Sequence, residues 1–184
     1  MNEAAERSSA ISFAVRDSTN ADLPAIQRIY AHHVLYGLAS FEEEAPDLTE
    51  LAKRRREIVA KGLPYLVAAA ADGVALGYAY ASPFRTRSAY RFTVEDSVYV
   101  APDAARHGIG RALLAALLPR CAELGYRQMV AVIGDSANGP SIGLHRALGF
   151  ARVALLPSIG FKFGRWIDCV MMQRTLGASD TKLP

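Results

Sequence analysis

The chain has 184 residues, 51% hydrophobic and 21% charged, a composition that excludes a wholly disordered, collagen-like or coiled-coil chain and suits a single globular domain. Lysine plus arginine exceed aspartate plus glutamate by 21 to 18, a formal charge of +3, too small for a nucleic-acid groove without a clustered patch, so no nucleic acid is expected among the partners. Cys121 and Cys169 show no CxxC or Cys/His spacing, Met1–Ala10 is polar, and no apolar run reaches bilayer length, so the expectation is a chain with reduced thiols, no metal, no membrane partner and a cytoplasmic location.

The polar ends, residues 1–10 and 177–184, read as flexible tails around one domain spanning residues 11–176. Ile11, Phe13 and Val15 alternate with polar or small residues as a strand does, and Ser18–Asp22 carries helix-start chemistry before Leu23, Ile26, Ile29, Tyr30 and Val34 at helical spacing. Gly37 ends that helix. Asp47, Thr49 and Glu50 open a second, amphipathic helix closed by Lys61-Gly62. Tyr65–Ala71 and Val74–Ala81 flank Asp72-Gly73, a strong hairpin signal, and Pro83–Ala89 reads as a polar loop. A long strand is predicted over Tyr90–Val100, and after a glycine-bearing turn a helix to about Leu124, with a kink or early break at Pro119. Gln128–Ile133 is a short strand, Ser141–Leu148 a short helix, and Ala151–Ile159 and Trp166–Thr175 are two final strands. Runs of strands with inserted helices predict an α+β fold with a mixed sheet rather than a doubly wound parallel one.

Gly108-Ile109-Gly110 stands between a strand and a helix. Glycines there let backbone N–H groups turn toward a phosphate, and the helix dipole adds a favourable field. Arg106, His107 and Arg111 add cationic or donor groups suited to a diphosphate. The alternative is a tight turn with no ligand. A Rossmann fingerprint wants Gly or Ala where Leu113 stands, and a P-loop wants a Gly-Lys pair that is missing.

On these residues the sequence resembles the GNAT superfamily of acyl-CoA-dependent N-acyltransferases. Their loop, Gln or Arg followed by xxGxG or xxGxA, corresponds to Ala105-Arg106-His107-Gly108-Ile109-Gly110, with Ala105 where Gln or Arg is usual. The second superfamily motif is matched by Asn138, Ser141, Leu144 and Leu148-Gly149-Phe150. After Leu144 many members carry a tyrosine; here it is His145. The segments FTVEDSVYV, NGPSIGLHRALGF and KFGRWID, with Ser40-Phe41-Glu42, resemble the phosphinothricin and methionine sulfoximine acetyltransferases within that superfamily. Ile167 stands where many of that group have His.

The resemblance implies a mostly antiparallel twisted sheet flanked by helices, acetyl-CoA as cosubstrate without a metal, a small-molecule amine substrate and a homodimer. Acetyl transfer from thioester to amine needs a neutral amine, a polarised carbonyl and a stabilised thiolate. Glu95 interrupts an otherwise apolar strand, and burial beside Val94 and Val98 suits it to the role of general base, a cross-strand ion pair being the alternative. His145 is the candidate acid or second base, with a structural role as the alternative. Backbone groups of Val98, Tyr99 and Val100 are expected to hold the carbonyl oxygen and pantetheine arm, Asn138 and Ser141 the coenzyme, with helix capping open to Asn138. Arg85 and Arg87, with Arg91 nearby, suit an anionic or zwitterionic substrate or are surface cations, and Phe41 is a wall for its aliphatic part or packs on the sheet. The competing functions are acetylation of a polyamine, an aminoglycoside or a protein N-terminus, and a non-catalytic acyl-CoA sensor.

Overall fold

The structure, a computed structural model, describes residues 11–183; the expected tail at residues 1–10 lies outside them. In chain order the elements are β1 (Phe13–Asp17), α1 (Leu23–Tyr36), α2 (Leu48–Ala60), β2 (Tyr65–Ala70), β3 (Ala75–Pro83), β4 (Thr93–Val100), α3 (Ile109–Glu123), β5 (Gln128–Gly134), α4 (Gly139–Ala147), β6 (Ala151–Lys162) and β7 (Arg165–Thr175). The strands form one sheet in the order β1-β2-β3-β4-β5-β7-β6. Every neighbouring pair is antiparallel except β4 with β5, so the α+β expectation holds.

Local chemistry explains the boundaries. Thr19 and Asp22 form a capping box ahead of α1, and Arg16 donates two hydrogen bonds of 2.8 Å to the buried Asp22 carboxylate. Asp47 caps α2 by accepting from the Glu50 amide at 2.7 Å. The alternation of side chains along the strands divides two cores. Leu66, Ala68, Ala79 and Val94 face α3, whereas Tyr65, Val67 and Tyr78 face α1 and α2.

Two expectations change. Of the kink or early break expected at Pro119, the break is absent: α3 runs through Pro119 to Glu123. Pro119 and Ala115 both lie on the exposed face, so the Ala115 carbonyl that loses its amide partner meets solvent, while buried Leu117, Leu118 and Cys121 hold the last turn on the core. The strand predicted from Tyr90 begins at Thr93, because Ser88–Tyr90 closes a 3-10 turn in which the Tyr90 amide donates to the Arg87 carbonyl at 3.0 Å.

The site depends on how β4 and β5 part. Their parallel pairing runs from Thr93 opposite Gln128 to Asp96 opposite Ala131 and then stops. Beyond it β4 stays bound to β3 as far as Val100, and β5 stays bound to β7 as far as Gly134. The two strands therefore splay, and the edge of Ser97–Val100 that faces away from β3 has no sheet partner among the described residues.

Candidate active site

The turn between β4 and α3 places two residues in the left-handed region, Arg106 at φ 66° and Gly108 at φ 80°. Gly108 adopts that conformation without the cost a side chain would bring. It is the N-cap of α3, and no side chain caps this helix, so the first-turn amides are free for an anion.

These amides open on a groove of about 690 Å³. Val98, Tyr99 and Val100 of the splayed strand, Ala105, Arg106, Gly108, Ile109, Gly110 and Arg111 of the turn, and Asn138 and Ser141 of α4 all line it, and His107 does not. Asn138 also caps α4, its side chain accepting from the Ser141 amide at 3.2 Å. The residues fit a nucleotide-tailed thioester: an amide cradle with two arginines at one end, and a strand edge without a sheet partner leading inward, its Val100 carbonyl 2.9 Å from His33 Nε2.

The groove leads into a smaller cavity of about 190 Å³ inside the splay, which shares Ala39, Val98, Tyr99, Asn138 and Ser141 with it and adds Glu95, Asp96 and His145. On the far side a third cavity of about 440 Å³ is lined by Phe41, Phe84, Arg85, Glu95, Phe161 and Met171, among others. Glu95 and Phe41 line both of these inner spaces. Burial, with the neighbouring Asp96 charge and partly against Arg85, pushes Glu95 up to about 7.

His145 is buried on α4, with Nε2 3.0 Å from Asp96 Oδ2 and Nδ1 2.7 Å from the Ser141 carbonyl. Burial alone would lower its pKa; the hydrogen bond and charge of Asp96, with the Ser141 carbonyl, outweigh that and raise it. Both neighbours are acceptors, so when protonated the ring donates through both nitrogens and presents no free N–H to the cavity. Asp96 Oδ1 is buried with no partner among the described residues.

Arg85 reaches the cavity of Glu95, whereas Arg87 lines a separate loop pocket with Phe84, Arg85, Thr86 and Tyr90. Arg91 lies over the Phe92 ring at 4.5 Å. Sequence reasoning missed Asp96. The available signal was a second charge beside Glu95 in an apolar strand: alternation sends the two to opposite faces, so one needs a buried partner.

With this geometry in place, comparison with known proteins is informative. The Acetyltransferase (GNAT) family profile matches residues 26–150. The chain is 58% identical, over 92% of its length and 86% of the relative's, to the phosphinothricin N-acetyltransferase of Alcaligenes faecalis. It is 42% identical, over 90% of its length and 96% of the relative's, to the L-methionine sulfoximine/L-methionine sulfone acetyltransferase of Pseudomonas aeruginosa. A crystal structure of a GNAT superfamily phosphinothricin acetyltransferase from Sinorhizobium meliloti in complex with acetyl-CoA superposes with a TM-score of 0.91 at 49% identity, covering 95% of this chain and 94% of that one. The chain belongs to the GNAT acetyltransferase family, and the enzyme class that follows is N-acetyltransferase.

Proposed function

We propose that this chain transfers the acetyl group of acetyl-CoA to the α-amine of a small amino acid analogue of the phosphinothricin or methionine sulfoximine type, with Glu95 as general base. The observation that carries the reading is the position of Glu95 where the splay cavity meets the apolar pocket, with a pKa of about 7. The names of the two relatives supply the substrate class.

The α3 amides, Arg106, Arg111 and, from outside the groove lining, His107 take the diphosphate, while Asn138, Ser141 and the splayed edge of Val98–Val100 hold the arm and the carbonyl oxygen. Ala105 contributes backbone only. Glu95 accepts the proton of the incoming ammonium. The freed nitrogen lone pair forms the C–N bond, the C–S bond breaks, and the proton nitrogen sheds on collapse balances the one the thiolate takes up. His145 takes a positioning role, its ring held between Asp96 and the Ser141 carbonyl, and Asp96 favours its protonated form. Arg85 meets the anionic end of the substrate from within the Glu95 cavity, with Arg87 adding charge from the adjoining loop pocket, and Phe41 walls its aliphatic part.

The proposal extends to a homodimer. Val153, Ile159, Phe161 and Trp166 on β6 and β7 are 54%, 58%, 56% and 66% exposed, an apolar surface that a second copy would cover.

Free-thiol release from acetyl-CoA, followed with phosphinothricin, methionine sulfoximine, methionine sulfone, the standard amino acids, a polyamine and an aminoglycoside side by side, tests the substrate reading. Turnover confined to the first three and their near analogues is expected. Turnover only with polyamines or aminoglycosides, or none with any amine, overturns it.

A further inference from the structure

We propose that Lys162 and Gly160 of β6 are positioning residues that set selectivity for the substrate side chain by fixing where Phe41 stands; the inference rests on the substrate reading above. Neither residue touches the space beside Glu95 through a charged or polar group. Both act on the segment Gly37–Phe41 that follows α1.

Lys162 is a lysine with 1% of its surface exposed, far outside the ordinary behaviour of this residue type. Its ammonium donates to the Ser40 carbonyl at 2.8 Å and to the Gly37 carbonyl at 3.0 Å, and lies 5.0 Å from the centre of the Phe163 ring. The two carbonyls bracket the segment, so one side chain ties both ends of a short arch to the β6–β7 hairpin. Burial lowers the lysine's pKa, and nearby Glu43 and Glu42 oppose that shift.

The other side of the arch is tied to the helices. The Tyr30 hydroxyl is 3.0 Å from Ser40 Oγ and donates to Glu42 at 3.0 Å, and Arg54 donates to the same Glu42 oxygen at 2.6 Å. A methyl group built on Gly160 would overlap the Phe41 ring, and one built on Gly134 would overlap the Leu38 carbonyl. The absence of a side chain at Gly160 is therefore the seat of Phe41. The ring itself is 40% exposed and lines both cavities that Glu95 lines. A displacement of Phe41 moves this wall relative to Glu95, whereas the coenzyme groove, which Phe41 does not line, meets the arch only at Ala39.

The test compares Lys162→Met, Lys162→Arg, Gly160→Ala, Phe41→Leu and the double variant Gly160→Ala/Phe41→Leu in the full chain. Lys162→Met and Gly160→Ala are expected to raise KM for the amine about tenfold while KM for acetyl-CoA stays within about twofold. Lys162→Arg recovers part of the loss. In the Phe41→Leu background, adding Gly160→Ala changes amine KM by less than about threefold, because the overlap has been removed. Hydrogen exchange supplies a readout independent of substrate: amides of residues 37–42 exchange roughly tenfold faster or more in Lys162→Met, while those of α3 are unaltered.

An amine KM within about twofold of wild type in both single variants, equal rises in both KM values, a Gly160→Ala effect that persists undiminished in the Phe41→Leu background, or unchanged exchange at 37–42 would each overturn the inference. Should the unsubstituted chain acetylate no amine at all, the substrate reading fails on its own, and the exchange measurement still decides whether Lys162 holds the arch.

Discussion

The proposed mechanism asks the Glu95 carboxyl group to be a base near neutral pH, and its surroundings suit that role. Burial and the Asp96 charge outweigh Arg85 and bring it to about 7. Two consequences follow from the same shift. The proposed base role requires the carboxylate, so kcat/KM should fall as pH drops below about 7, and Glu95→Gln should lower kcat by roughly 10²–10⁴ at saturating acetyl-CoA with little change in coenzyme affinity, measured by steady-state kinetics and calorimetry. A folded-state pKa above the unfolded value also means that the native state holds this proton more tightly, so ionising Glu95 costs stability as pH rises toward and through about 7. Glu95→Gln should therefore melt higher than the parent at about pH 8 and nearly with it at about pH 5. A variant that keeps full turnover, or that melts lower on the alkaline side, removes Glu95 from this role.

At the scale of elements, two joints set the site. The first is the pair His145–Asp96, which pins α4 to β4 where the sheet no longer does so. The His145 pKa is raised, so the stability it contributes is fully present below its unfolded value of about 6.5 and is lost as pH rises through the folded one. Asp96→Asn should destabilise the chain by about 3 kcal/mol in urea unfolding near pH 6, since it removes the buried carboxylate that favours the protonated form of His145, and the deficit should shrink as pH rises. The second joint is the turn into α3. Gly108 at φ 80° makes Gly108→Ala a strain of about 1 kcal/mol located at the amide cradle, which should raise KM for acetyl-CoA several-fold and leave KM for the amine within about twofold.

For the whole molecule, the asymmetry of the sheet is the informative feature. At the β1 edge Phe13 and Val15 pack onto the core, while the β6–β7 end exposes Ile159, Phe161 and Trp166. If a second copy covers that face, Ile159→Lys combined with Trp166→Ser should halve the sedimenting mass; a wild-type chain that already sediments as a monomer sinks the dimer. In the described residues no helix is long and apolar enough to cross a membrane.

What could be read from the linear chain were features whose cause is local. Hydrophobic period, caps at Thr19 and Asp47, the Asp72-Gly73 turn and the glycine turn at Gly108 act over a few residues, so the element order and the cradle were legible. Glu95 was legible as a charge in an apolar strand. The uninterrupted helix at Pro119 was not, because the penalty of a proline depends on whether the orphaned Ala115 carbonyl faces solvent or core, which only packing settles. The partners that decide the site's electrostatics are remote: Asp96 and His145 are 49 residues apart, and Lys162 and Ser40 are 122 apart. No spacing rule spans such distances. The sequence by itself determined the order of the elements, the glycine turn ahead of α3 and the family the chain belongs to, because side-chain type and local backbone preference are properties of short segments. Only the tertiary structure decided that β4 and β5 part after Asp96, that Glu95 stands between two cavities, and that a buried lysine holds the Phe41 arch, because each depends on chain segments that folding alone brings within hydrogen-bonding distance.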